Sequence, residues 1–141
     1  MALTGNLGEL ELADDVDLVE AFPGLSQFLP KTQGTWEPQR DLGKKHALKA
    51  FREATGKDPA CCRALDNQDW ELVLVAFTLA VIFRGFLPSE RWLGKANEAD
   101  EVAAKILVDF RYQEDVDRDG VIEESKDESM IGIVRTVNLV R

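Results

Sequence analysis

The chain is poor in the side chains that usually do chemistry. It has one histidine, His46, preceded by two lysines on a charged stretch, so there is no histidine pair for acid–base work or metal ligation. Its two cysteines, Cys61 and Cys62, are neighbours. A bond between adjacent cysteines closes a strained ring, and CxxC spacing is missing, so two free thiols in a reducing cytoplasm are expected. No serine or cysteine has a recognisable nucleophile context. Gly5 and Gly8 do not make a glycine-rich phosphate loop. These shortages predict that the protein is not an enzyme.

Long apolar runs are also missing. The longest uncharged stretch lies between Glu71 and Arg84, and its 12 residues fall short of the roughly 20 a membrane span needs. Positive charge is scarce: 17 lysines and arginines against 26 acids give a net charge of −9. That excludes a wrapped nucleic-acid partner, because phosphate binding needs clustered bases. The first dozen residues are acidic and lack a basic start followed by an apolar run, so no secretory leader is predicted.

What remains is an ordinary globular composition. With 141 residues and 45% apolar content, the chain can bury the core of about one domain. Its charge is uneven. Residues 38–65 carry seven bases and three acids, whereas residues 1–37 carry seven acids and one base, and 113–128 eight acids and two bases. The basic stretch reads either as a solvated helix face or as a docking surface for an acidic neighbour.

The periodicity predicts a mainly α protein: a small helical bundle built on a long antiparallel helix pair, with an extended N-terminal arm and a C-terminal strand-like tail. Residues 1–12 lack periodicity and read as the arm. Asp14 or Asp15 caps a short helix to Phe22, and Gly24, Pro30, Gly34 and Pro38 mark a connecting loop. Pro38 suits the first turn of a helix that runs to about Thr55 and stops at Gly56, with Ala47, Leu48, Phe51 and Ala54 as its apolar stripe. Trp70–Leu87 lacks a polar face and must be surrounded, and Pro88 ends it. In the next helix, about Ser89–Tyr112, Trp92, Ala96, Ala99, Ala103, Ile106 and Phe110 recur at spacings of four and three, the seam of a helical hairpin. The alanines allow close approach, and the short break before Ser89 makes the two helices antiparallel neighbours. The chain thus divides into an acidic arm with short helix and loop (1–37), a helical core domain (38–128) and a C-terminal docking strand (129–141).

One run stands out. Asp115-Val-Asp-Arg-Asp-Gly-Val-Ile-Glu-Glu124 places carboxylates at Asp115, Asp117 and Asp119, a turn glycine at Gly120 and an apolar residue at Ile122. That is the opening half of an EF-hand calcium loop. The closing half fails, since Lys126 stands where a bidentate glutamate belongs. In the functional reading, Asp115, Asp117, Asp119 and the Val121 carbonyl hold Ca2+, with Glu123, Glu124 or Asp127 completing the shell. The crowding of like charges favours some bound cation. In the other reading, Asp and Gly simply build a solvated turn, and no cofactor is required.

The tail switches to a period of two. Ile131, Ile133, Arg135, Val137 and Leu139 alternate with Met130, Val134, Thr136, Asn138 and Val140, ahead of Arg141. A strand with no obvious partner in a helical chain is a candidate for adding to another protein's sheet, with Ile131, Ile133, Arg135, Val137, Leu139 and Arg141 as its binding residues.

The order of parts resembles that of the small helical head-completion, or adaptor, proteins of tailed bacteriophages. An acidic arm is followed by Arg63-Ala64-Leu65 leading into an apolar helix that ends Val81-Ile82-Phe83-Arg84. Then come Trp92 with Lys95-Ala96, an amphipathic helix, the DxDxDG turn, and a tail ending Val134-Arg135 and Val140-Arg141. The likeness covers roughly residues 38–141 and rests on element order. It implies a structural virion protein, assembled in the host bacterial cytoplasm, whose copies (commonly twelve) form a homo-oligomeric ring in the head–tail neck. Portal protein and tail or neck proteins are the implied partners, residues 70–112 the ring-forming core and Ser129–Arg141 the docking arm. DNA would pass the acidic channel without being held. The rival reading is a small calcium-responsive binding module that uses the EF-hand-like loop.

Overall fold

The stretch Asn67–Arg84 forms the helix (α3) around which the other elements are arranged. In the computed structural model, which describes residues 6–12, 14–86, 90–114, 131–134 and 137, every α3 residue from Val73 to Ala80 is buried, together with Trp70, Ile82 and Phe83. A helix without a polar face is stable only when covered on all sides, and four neighbouring elements lie against this one. Asp66 starts it by accepting a hydrogen bond from the Gln68 N–H at 2.9 Å, the usual side-chain cap.

The helix Glu90–Leu107 (α4) runs antiparallel to α3. Phe83 near the end of α3 stacks on Trp92 near the start of α4, while Trp70 at the start of α3 meets Phe110 beyond the end of α4. Ala96, Ala99 and Ala103 of the expected seam are buried between the two helices, and the half-buried Arg84 pairs across them with the buried Asp100. Asn97 Oδ1 accepts a second hydrogen bond from Arg84 at 3.3 Å. The mainly α bundle on a close helix pair is therefore the architecture observed.

The helix Glu37–Thr55 (α2) covers another side of α3. It has Pro38 in its first turn and ends at Gly56, whose φ of 71° is left-handed and whose N–H reaches the Arg52 carbonyl at 2.8 Å. Ala47 and Phe51 face the core as expected, joined by Ala50 and by Gly43, which lies against Thr78 of α3.

The N-terminal region is seated rather than free. Residues 6–12 form neither helix nor strand, yet Leu7 and Leu12 are buried, and the Leu7 N–H donates to the Cys62 carbonyl at 2.9 Å. Arg40 of α2 donates to the Leu12 carbonyl at 2.9 Å and lies 3.1 Å from Asp15, and Lys44 approaches Glu11 at 3.5 Å. A short helix follows at Val16–Ala21 (α1), then a 3-10 turn at Leu25–Phe28. Phe22 and Phe28 pack edge-on against Trp92, closing the end of the bundle.

The sheet departs from expectation. Cys62–Ala64 (β1), Arg111–Glu114 (β2) and Ile131–Ile133 (β3) form an antiparallel sheet in the order β1-β2-β3. Cys62 stands opposite Glu114, Ala64 opposite Tyr112, Arg111 opposite Ile133 and Gln113 opposite Ile131. The last helix thus stops at Leu107, short of Tyr112. Asp109 takes a left-handed φ of 66° and donates its N–H to the Val134 carbonyl at 2.7 Å, which turns the chain out of the helix and into the sheet. The expectation that the tail strand lacks a partner in its own chain is corrected: β3 pairs with β2.

Candidate functional site

Of the residues singled out in the sequence, the structure describes Ile131, Ile133 and Val137. The acidic run from Asp115 to Glu124, with Asp117, Asp119, Val121 and Glu123, lies in the connection between β2 and β3, outside the described residues. So do Arg135, Leu139 and Arg141. What the structure does place is the frame on either side. The described element before the acidic run is strand β2, and the next described element after it is β3. Among the described residues no group of three metal-ligating side chains occurs, and His46 is exposed on α2.

The sheet has two edges of different character. At β1, the Cys62 carbonyl, directed away from β2, accepts from the Leu7 N–H of the N-terminal segment. At β3 the geometry follows from the ladder. The Val134 N–H donates to the Phe110 carbonyl at 3.0 Å, so Val134 and Gly132 are the residues that bond to β2. The N–H and C=O groups of Ile131 and Ile133 therefore point to the opposite side. Among the described residues no strand lies along that edge. The side chain of Ile133 is 37% exposed, whereas Val134 is fully buried and Val137 packs partly against the core. Val134 and Val137 thus anchor the tail, and the outer edge of β3 is one that no described strand covers.

A polar pair sits inside the sheet. Arg63 of β1 is buried and donates from Nε and an Nη to Gln113 Oε1 at 3.3 and 3.0 Å. Sequence reasoning missed both, because a three-residue strand has no period to detect. The alternation of Phe110 and Tyr112 with Arg111 and Gln113 was the available signal, masked by Phe110 also fitting the helical seam.

Both cysteines are free, as expected. Cys62 is fully buried, and burial, aided by the Glu114 carboxylate, pushes its thiol from an ordinary 9.0 up to about 12. Tyr112 is raised as well, by burial first and by Cys62 next. Below pH 9 both groups are protonated in the folded and the unfolded chain, so stability does not depend on them there. Between pH 9 and 12 the unfolded chain loses the Cys62 proton and the folded chain keeps it, so stability falls as pH rises. Urea unfolding across this range is expected to show that decline, and Cys62→Ala should flatten its early part. A decline of the same steepness in the variant would assign the effect elsewhere. At neutral pH an alkylating reagent should modify the half-buried Cys61 well before Cys62.

No helix among the described residues is long and apolar enough to cross a membrane. Comparison of the chain with protein-family models, with characterised proteins and with solved structures finds no match.

Proposed function

We propose that the chain is a structural connector of a tailed-phage neck. In this reading it is a non-enzymatic adaptor in the virion, whose copies form a ring between portal and tail around a channel through which DNA passes unheld. The single observation that carries the reading is the outer β3 edge, along which no described strand lies. Main-chain groups of Ile131 and Ile133 are directed outward from a strand whose other side is held by β2. Such an edge extends by adding a strand from a neighbouring protein, which supplies affinity through the ladder and specificity through alternate side chains. In the same reading Val137, with Arg135, Leu139 and Arg141 of the tail sequence, adds the side chains that portal or tail proteins recognise. The element order that resembles the adaptor family supports the same assignment.

The buried Val134 alters how this should be tested. Deleting 129–141 would remove a core residue and a strand of the chain's own sheet, confusing docking with stability. Ile133→Pro is cleaner, because the N–H it removes points away from β2, and proline is tolerated at such an edge position. The variant is expected to keep the wild-type melting temperature within about 2 °C. It should also lose most of its capture of portal, capsid or tail proteins from lysate of the native source. A cellular partner retained only in the presence of calcium would overturn the connector reading in favour of the calcium-responsive module.

A further inference from the structure

Two exposed surfaces of this chain carry opposite charge and have matching length, and no described element covers either. The first is the outward face of α2. Its inward face, with Gly43, Ala47, Ala50 and Phe51, lies against α3 and the core, so the helical repeat turns Leu42, Lys45, Lys49 and Arg52 to solvent. Leu42 is 45% exposed, an apolar side chain among bases. Lys45 and Arg52 have no ion-pair partner among the described residues, and Lys49 has only an exposed approach to Glu53 at 3.9 Å, which holds little energy. From Lys45 to Arg52 the face runs about 10 Å.

The second surface is a groove of about 320 Å³ between α1 and the first half of α3. Asp17, Glu20 and Glu71 wall it, and Ala21, Leu72 and Val75 supply its apolar lining, with Leu72 46% exposed. None of the three carboxylates has an ion-pair partner among the described residues. Its α3 side, from Gln68 to Val75, is also about 10 Å long.

The two surfaces do not meet within one chain, because the groove lies on α3 itself whereas the charged face of α2 points away from α3. The chain already shows the pairing chemistry on the other flank of α2, where Arg40 and Lys44 take Asp15 and Glu11. We infer that the groove receives the α2 face of a second copy of this chain. Lys45, Lys49 and Arg52 stand against Asp17, Glu20 and Glu71, and Leu42 enters over Leu72 and Val75. The apolar contact supplies burial, and the flanking charges set register and exclude a reversed approach. Because the surfaces differ, the contact is head-to-tail and propagates until a rotation closes it into a ring. The inference rests on the ring reading above and names the interface that would build it.

Sedimentation velocity of the full chain at low and high salt tests this. The wild type is expected to associate at low salt and to dissociate as salt screens the charges over about 10 Å at 0.1 M. K45E/K49E/R52E and D17K/E20K/E71K should each weaken association about 100-fold. All six substituted residues are exposed, and far-UV circular dichroism checks that each triple variant stays folded. An equimolar mixture of the two variants should associate again, because each then offers the surface its partner lacks, and so should a chain carrying all six changes. Association that survives either set of reversals overturns this interface while leaving the ring reading standing. A wild-type chain that stays monomeric at low salt also overturns it, and capture of portal or tail proteins then decides the connector reading separately.

Discussion

Phe51→Ala is expected to lower the stability of the folded chain by about 4 kcal/mol, the range found when a fully buried phenylalanine is truncated. For a chain of this size that corresponds to a fall in melting temperature of roughly 12 °C. Phe51 is fully buried and meets three rings edge-on: Trp70 at 6.2 Å, Phe110 at 6.2 Å and Tyr112 at 5.0 Å. Those rings belong to α3, to the turn after α4 and to β2. One side chain of α2 therefore joins the helical core to the sheet, and its loss leaves a cavity lined by groups from all three. Urea unfolding followed by circular dichroism and by tryptophan fluorescence measures the effect, and Phe51→Leu should recover about half of it. A loss below about 1.5 kcal/mol would mean that sheet and helices do not share one core.

Gly43→Ala should cost about 2–3 kcal/mol, although alanine is the better helix former by roughly 1 kcal/mol. A Cβ at this position would lie 2.2 Å from Thr78 Oγ1, 2.7 Å from Thr78 Cα and 2.8 Å from its backbone N. Two of those three atoms are backbone, so rotating the Thr78 side chain cannot relieve the overlap and α2 must move off α3. Removing the hydroxyl as well, in Gly43→Ala with Thr78→Ala, should restore only a minor part, because the backbone contacts persist. Thr78 Oγ1 is itself held by the Leu74 carbonyl at 2.7 Å. Gly94 provides the contrast. It sits in α4 with nothing within 4 Å of its would-be Cβ, so Gly94→Ala should stabilise by up to about 1 kcal/mol. If both substitutions changed stability alike, propensity rather than helix contact would govern Gly43.

These two positions differ in how far the sequence reveals them. Phe51 belongs to a periodic apolar stripe and reads as core at once. Gly43 reads as an ordinary helix glycine, since nothing near it in the chain announces Thr78, and only the crossing of α2 over α3 gives it a role. The same division runs through the candidate site. Strand character in the tail follows from its two-residue alternation. The partner of that strand does not, because Phe110 satisfies a helical spacing from Ile106 and a strand alternation with Tyr112 equally well. The charge contrast between residues 38–65 and their neighbours is a matter of counting. That the bases face outward on α2 while Asp17, Glu20 and Glu71 gather in one groove is a matter of packing.

The sequence alone determined the helical class, the limits of α2 at Pro38 and Gly56, the buried central helix and the alanine seam of its antiparallel neighbour. Each of these is written in local signals: a proline or glycine at a terminus, or an apolar period sustained over several turns. Tertiary structure decided the three-stranded sheet, the early stop of α4 at Leu107, the seating of residues 6–12 and the outward direction of the main-chain groups at Ile131 and Ile133. The physical reason is common to all four. A helix bonds to itself within four residues and so leaves its mark on consecutive positions. A strand, or an irregular segment laid on a core, takes its hydrogen bonds and its cover from residues far away in the chain.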